Sequence, residues 1–252
     1  EKKLATLIAK QGQHVSIDRL RWAGDGDFVT ATLSVDAQSY SYHIFDLNLG
    51  TDTKISDFYF KTKHTDALVP TETVQITARD GMKLNALLLR PKGVDGAAPM
   101  VLEVHGGPAR QVKWEYHHFR QFLVNRGYAV LPVNFRGSSG LGKIYQAAAY
   151  GEYGRKMQDD LVDATLWAID QGIADPKAIA INGSSYGGYA SAMGLVRDPD
   201  LFKAGIIEHA MLDVAYQSQY PPHSWGLYLG QWERYFGDIN SPGDMDKMHQ
   251  RS

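Results

Sequence analysis

A serine with a glycine two positions away on either side marks where this chain could do covalent chemistry. Gly183-Ser184-Ser185-Tyr186-Gly187-Gly188 follows the apolar run Ala178-Ile179-Ala180-Ile181. Gly-x-Ser-x-Gly at a strand-to-helix turn holds its serine in a strained conformation, so that the hydroxyl stands clear of the sheet. A side chain two residues away would collide with that bend, and Gly183 and Gly187 remove it. Gly188 lets the following helix pack closely. Such a serine serves acyl transfer, which needs a nucleophile, a base and donors for the developing oxyanion. The spacing predicts Ser185 as nucleophile and the Tyr186 N–H, at the helix start, as one donor. His105-Gly106-Gly107-Pro108 lies directly behind the apolar Met100–Val104. Glycine there lets the backbone approach a substrate carbonyl, so the Gly107 N–H is the second candidate donor.

The elements that must position these groups are legible in outline. Residues 1 to 70 read as β-rich, with strands at Phe28–Leu33 and Ser39–Leu47, a turn at Gly24–Asp27 before them and a Gly50-Thr51-Asp52 turn after. The Asp25-Gly26-Asp27 cluster lacks the ligand spacing and bidentate Glu of a calcium loop, so it reads as a hairpin turn. Two or three short strands cannot bury a face alone, so the segment reads as the end of a larger β unit. A boundary is expected near Ala67–Pro70. Beyond it strands alternate with helices, the pattern of an α/β sheet. Strands are predicted at Val74–Ile76, Leu84–Leu89, Met100–Val104, Ala129–Asn134 and Ala204–Ile207, with Pro132 awkward for a central ladder. Tyr116, Phe119, Phe122 and Leu123 stripe one helix capped by Gly127. Met157, Leu161, Ala164 and Ala168 stripe another, closed by Gly172. The helix after Ser185 runs to about Val196.

Composition excludes several classes. The chain has 252 residues and a net charge of −2, which gives no electrostatic footprint for nucleic acid or an anionic membrane. No apolar run approaches a membrane span and no signal segment opens the chain. Cysteine is absent, which excludes disulfides and thiolate chemistry and suits a cytosolic or a periplasmic compartment equally. No metal-ligand spacing is present, and no cofactor is expected. Position 1 is Glu rather than Met, so the expectation is a chain processed or cut from something longer.

His105–Pro108, Asn134-Phe135-Arg136-Gly137-Ser138-Ser139-Gly140-Leu141-Gly142 and Gly183–Gly188 together resemble the catalytic domain of the prolyl oligopeptidase family of serine peptidases, its acylaminoacyl-peptidase-like branch above all. Thr77–Met82 with Leu87–Pro91 resembles the opening of that domain. The resemblance implies an α/β-hydrolase fold over residues 71–252, incomplete at its C-terminus, and makes residues 1–70 the last part of a β-propeller. It also implies Ser185 as nucleophile, an oxyanion hole made by the Tyr186 and Gly107 N–H groups, and short peptides as substrates. It places Tyr216, Tyr220 and Trp225 in the wall of the substrate pocket, within a segment that also holds Tyr228, Trp232, Tyr235 and Phe236. A carboxylesterase or lipase of the same fold remains an alternative, as does a shortened, non-catalytic relative used for binding.

The triad acid and base are the missing parts. In this fold they follow the serine in the order acid, then His. Asp213, Asp238, Asp244, Asp246, His209, His223 and His249 are available; Asp213 with His223 has the right order but comes too early for the family pattern. His105 reads as loop support, and His117 and His118 as a helix face. The expectation is that the acid and base lie beyond Ser252. Loss of a triad base removes about a million-fold in turnover, so residues 1–252 alone are expected to be nearly inactive. Ala204–Ile207 would then form an exposed apolar edge. Arg136 is read as structural, paired with Asp159 or Asp160. Asn182-Gly183-Ser184 matches a glycosylation sequon but is too buried in the bend to accept a sugar.

Overall fold

The computed structural model describes residues 2–12, 15–35, 40–57, 67–225 and 229–252; Ser39 and Tyr228, named above, lie outside them. In chain order come α1 (Lys2–Ala9), β1 (Val15–Ala23), β2 (Phe28–Val35), β3 (Ser41–Asp46), β4 (Thr51–Asp57), β5 (Glu72–Thr77), β6 (Lys83–Leu88) and β7 (Ala98–Val104). Then follow α2 (His118–Asn125), β8 (Ala129–Asn134), α3 (Lys143–Ala147), α4 (Lys156–Asp170), β9 (Ala174–Ser184), α5 (Tyr186–Arg197) and β10 (Ala204–Glu208). The chain continues with α6 (Val214–Gln219), a 3-10 turn at His223–Trp225, α7 (Leu229–Phe236) and α8 (Pro242–Gln250). Two compact units result: Glu1–Glu72 with Leu89–Lys92 and Lys113–Gly127, and Thr73–Leu88 with Gly93–Val112 and Tyr128–Ser252.

The first unit is a four-stranded antiparallel meander, β1-β2-β3-β4. Alternation sends Val29, Ala31, Leu33 and Phe45 to one face, where Leu4 and Leu7 of α1 pack with them. Two expectations are corrected here. The segment holds four strands and a helix rather than two or three strands. The second turn spans Asp46–Gly50, where the Asp46 side chain accepts from the N–H groups of Asn48 and Leu49, and Thr51 already belongs to β4. Gly24–Asp27 forms the β1–β2 turn as expected. The segment around α2 belongs to this unit: the Gln121 amide bonds both backbone groups of Val69, and Tyr116 N–H donates to Ser34 Oγ. On α2 the buried apolar pair is Leu123 and Val124, whereas Phe122 is exposed and lies under the Arg126 guanidinium.

The second unit is built on a six-stranded sheet in the order β10-β9-β7-β8-β6-β5. β8, β7, β9 and β10 run parallel, and β6 joins antiparallel to β8. All six residues of β8 are buried, which explains its unbroken apolar run. Pro132 lies opposite Glu103 in the β7–β8 ladder and outside the β6–β8 ladder, which covers only Asn85↔Asn134 and Ala86↔Val133. Leu102, Leu131, Val133, Phe135, Leu161, Ile179 and Ile181 are at most 1% exposed and form the heart of one continuous core. Burying each such side chain contributes roughly 1.5–3 kcal/mol. β10 is a sheet edge, with all five side chains exposed. Among the described residues no helix is long and apolar enough to cross a membrane.

Candidate active site

β9 ends at Ser184 and α5 begins at Tyr186, leaving Ser185 alone at the bend with φ 60° and ψ −119°. A non-glycine residue in that region is strained, by about 1–3 kcal/mol, and persists only where its surroundings fix it. They do. Ser185 N–H donates to Glu208 O at 2.9 Å, and Ser185 C=O accepts from Tyr189 N–H at 3.0 Å. The glycines have the steric role the spacing predicts. A Cβ on Gly183 would strike the backbone of Gly187, and one on Gly187 would strike Val104 O. A Cβ on Gly188 would stand 2.5 Å from Glu208 O, so α5 packs directly on the backbone after β10.

The loop after β7 comes close to this bend. A Cβ on Gly106 would lie 3.1 Å from Ser184 O and 3.4 Å from Ser185 Cβ. Gly107 has φ 131°, a conformation that favours glycine, and lines the same cleft as Ser185. Tyr186 is the first residue of α5, where N–H groups have no intrahelical acceptor and the helix dipole is positive. The loop is braced by the turn after β8. His105 reaches Gly106 O through Nδ1 and Ser138 Oγ through Nε2, both at 2.8 Å, and stacks on Phe135 at 4.4 Å. Ser139 N–H donates to Arg110 O at 2.9 Å. The Asn134 amide bonds Val112 N–H and C=O at 2.8 and 3.2 Å. Two loops from neighbouring parallel strands thus hold one another.

A cleft of about 530 Å³ is lined by Ser184 and Ser185, by Gly106–Arg110, and by Trp225, Gln231, Trp232 and Tyr235. Trp225 and Trp232 stack at 5.2 Å. Trp225 is thus one of the residues that line the cleft. Tyr216 and Tyr220 do not line the cleft: their rings meet at a tilt, 5.0 Å apart, on and just after α6, and they are 60% and 64% exposed. Arg110 and Gln231 escaped the sequence reading, because nothing in their local pattern distinguishes them from surface residues.

Among the described residues no side chain hydrogen-bonds the Ser185 hydroxyl. Asp213 caps α6 by accepting from Tyr216 N–H at 2.8 Å. Asp238 accepts from Asn240 N–H and Asp244 from Lys247, while His223 and His249 are exposed. A hydrogen-bonded Ser–His–Asp string does occur elsewhere. Ser41 Oγ meets His43 Nε2 at 2.9 Å, and His43 Nδ1 meets Asp52 Oδ1 at 2.8 Å. Ser41 and His43 are 7% and 3% exposed, and Gln11 also donates to Asp52 at 2.8 Å, so this string ties α1 to the meander. Arg136 is structural, as expected: it pairs with Asp160, and also with Asp80, whereas Asp159 pairs with Arg197. Among the described residues no group of His, Cys, Asp and Glu could hold a metal ion.

The sequence pattern of the prolyl oligopeptidase family matches residues 114–248. The chain belongs to the prolyl oligopeptidase family. A family relative, dipeptidyl aminopeptidase BIII of Pseudoxanthomonas mexicana, is 36% identical over 257 residues, covering 94% of this chain and 37% of the relative. The acylamino-acid-releasing enzyme of Homo sapiens is 28% identical over 137 residues, covering 54% of this chain and 19% of that one. Among solved structures, puromycin hydrolase superposes with a TM-score of 0.81 at 22% identity, covering 92% of this chain and 36% of its own. The acylaminoacyl peptidase of Pyrococcus horikoshii gives 0.78 at 21% identity, covering 94% and 38%. The chain thus spans just over a third of the Pseudoxanthomonas relative and of both structures. These likenesses show the fold: an α/β-hydrolase, preceded by a meander that fits the end of a β-propeller.

Proposed function

We propose that this chain carries the nucleophile and the oxyanion hole of a serine peptidase that acts on short peptides. One observation supports it most: Ser185 is held at φ 60° on the strand-to-helix bend, with the Gly106-Gly107 backbone beside it and a cleft in front. Ser185 Oγ attacks the peptide carbonyl, and the new oxyanion is held by the N–H groups of Tyr186 and Gly107. A His base takes the serine proton and passes it to the leaving amine; water then hydrolyses the acyl-enzyme. Within the described residues no imidazole hydrogen-bonds the Ser185 hydroxyl, so this reading does not assign that His or its carboxylate partner to any of them. The peptidase names of the relatives support peptides as the substrate class.

The test uses the protein at its full natural length. A fluorophosphonate is expected to label it, and Ser185→Ala to abolish that labelling and the turnover of aminoacyl nitroanilides. Turnover of p-nitrophenyl esters alone would make the protein an esterase instead. An unlabelled, inactive protein would leave only a binding role. Residues 1–252 alone should react slowly, and their rapid labelling would show that the base lies within them.

A further inference from the structure

Among the described residues, Arg110 is the one charged residue that lines the cleft over Ser185. Arg79, Arg136, Arg155 and Arg197 of the same unit each meet a carboxylate. Arg110 meets none among the described residues, nor does its guanidinium make a hydrogen bond there, and it is exposed. Its backbone is nonetheless fixed. Arg110 N–H donates to Pro108 O at 2.8 Å, and Arg110 C=O accepts from Ser139 N–H at 2.9 Å. Next to it, the Gln111 side chain packs so tightly on Gly140 that a Cβ there would lie 2.5 Å from Gln111 Nε2. An unpaired cation is thus anchored on the same short loop that presents Gly107, in a concave site walled by Trp225, Trp232, Tyr235 and Pro108. Apolar walls focus the field of a single charge into the cleft. A guanidinium fork matches a carboxylate with two parallel hydrogen bonds.

We propose that Arg110 is a specificity-determining residue that receives a carboxylate of the bound peptide. This rests on the peptidase reading above. The carboxylate has two sources, the free C-terminus of a short peptide or an acidic side chain near the cleaved bond.

Three peptides of one sequence separate them in the protein at its full natural length: the free acid, the C-terminal amide, and the amide with a Glu beside the cleaved bond. One carboxylate-bearing peptide is expected to exceed the neutral amide about tenfold in kcat/KM, the size of a solvent-exposed charge-assisted contact. The advantage should sit mainly in KM, shrink with added salt, vanish in Arg110→Met and survive in part in Arg110→Lys. A favoured free acid assigns the C-terminus; a favoured Glu peptide assigns the side chain. Equal kcat/KM for all three in the unaltered protein overturns the proposal, as does a preference that persists in Arg110→Met. Loss of fluorophosphonate labelling of Ser185 in Arg110→Met would mean that Arg110 props the loop instead of reading substrate, and would overturn the proposal. Should the unaltered protein turn over no peptide, the peptidase reading falls, while calorimetric binding of the same three peptides still decides Arg110.

Discussion

The guanidinium of Arg136, just after β8, grips the carboxylate of Asp160 on α4 at two points, with Nη2 2.6 Å from Oδ1 and Nε 2.9 Å from Oδ2. The Arg136 N–H donates to the same carboxylate at 2.8 Å. At 4% and 0% exposure, neither side chain has solvent to fall back on. Arg136→Met would strand Asp160 as a buried, unpaired charge. The expected loss is about 3–5 kcal/mol, read as a fall in the urea unfolding midpoint. Arg136→Lys should recover little of it, since an ammonium cannot reproduce the two-point contact.

The other arm of Arg136 holds Asp80 at 2.8 and 3.0 Å. The hydrogen bond from Arg136 is the largest cause that keeps the Asp80 carboxyl below the usual carboxylate range. A depressed pKa in the folded state stabilises the fold above the unfolded value, about 3.9, and that stability is lost as pH falls towards the folded value. Thermal melting of the parent protein and Asp80→Asn should therefore differ near neutral pH and begin to converge only as pH falls below about 4, towards the depressed folded value. Curves that stay parallel to the lowest pH would show that the pair contributes no proton linkage.

Strain at Ser185 is measurable as stability. Ser185→Gly and Ser185→Ala both remove the hydroxyl, but only glycine adopts φ 60° with ψ −119° freely. Glycine carries an entropic penalty of roughly 0.5–1 kcal/mol, against strain of about 1–3 kcal/mol. Ser185→Gly is expected to unfold at higher urea than Ser185→Ala, by about 1 kcal/mol. The reverse order would mean the bend is unstrained.

Tyr186 is fully buried in the core, and its hydroxyl finds no hydrogen-bond partner among the described residues. Burial holds that phenol far above the usual tyrosine range, so it stays protonated. A buried hydroxyl without a partner is destabilising by about 1–3 kcal/mol. Tyr186→Phe should raise the unfolding midpoint and leave fluorophosphonate labelling of Ser185 unchanged, because its side chain is fully buried and does not line the cleft. A drop in stability would reveal a hidden partner for the hydroxyl.

The bend at Ser185 was readable in the sequence because part of its cause is local: the collision of a Cβ on Gly183 with the Gly187 backbone depends on a few adjacent residues. The parallel strands β7 and β8 were readable because their burial on both faces leaves largely apolar runs. β1 and β4 were not. Val15–Ala23 carries Asp18, Arg19 and Arg21, and Thr51–Asp57 has Ile55 as its sole large apolar residue. Both owe their extended form to the partner strand, which composition does not reveal. Tyr216 and Tyr220 were placed in the pocket wall by the family resemblance, yet on and just after α6 both are exposed. The brace between Ser138 and His105 crosses 33 residues, a separation no local pattern spans.

The Ser41–His43–Asp52 string teaches how little atomic connectivity alone says about reactivity. A geometric template that asks merely for oxygen, imidazole and acid in relay would select these three and pass over position 185. What distinguishes an attacking group is room for an incoming electrophile, and the serine sealed inside the meander has none.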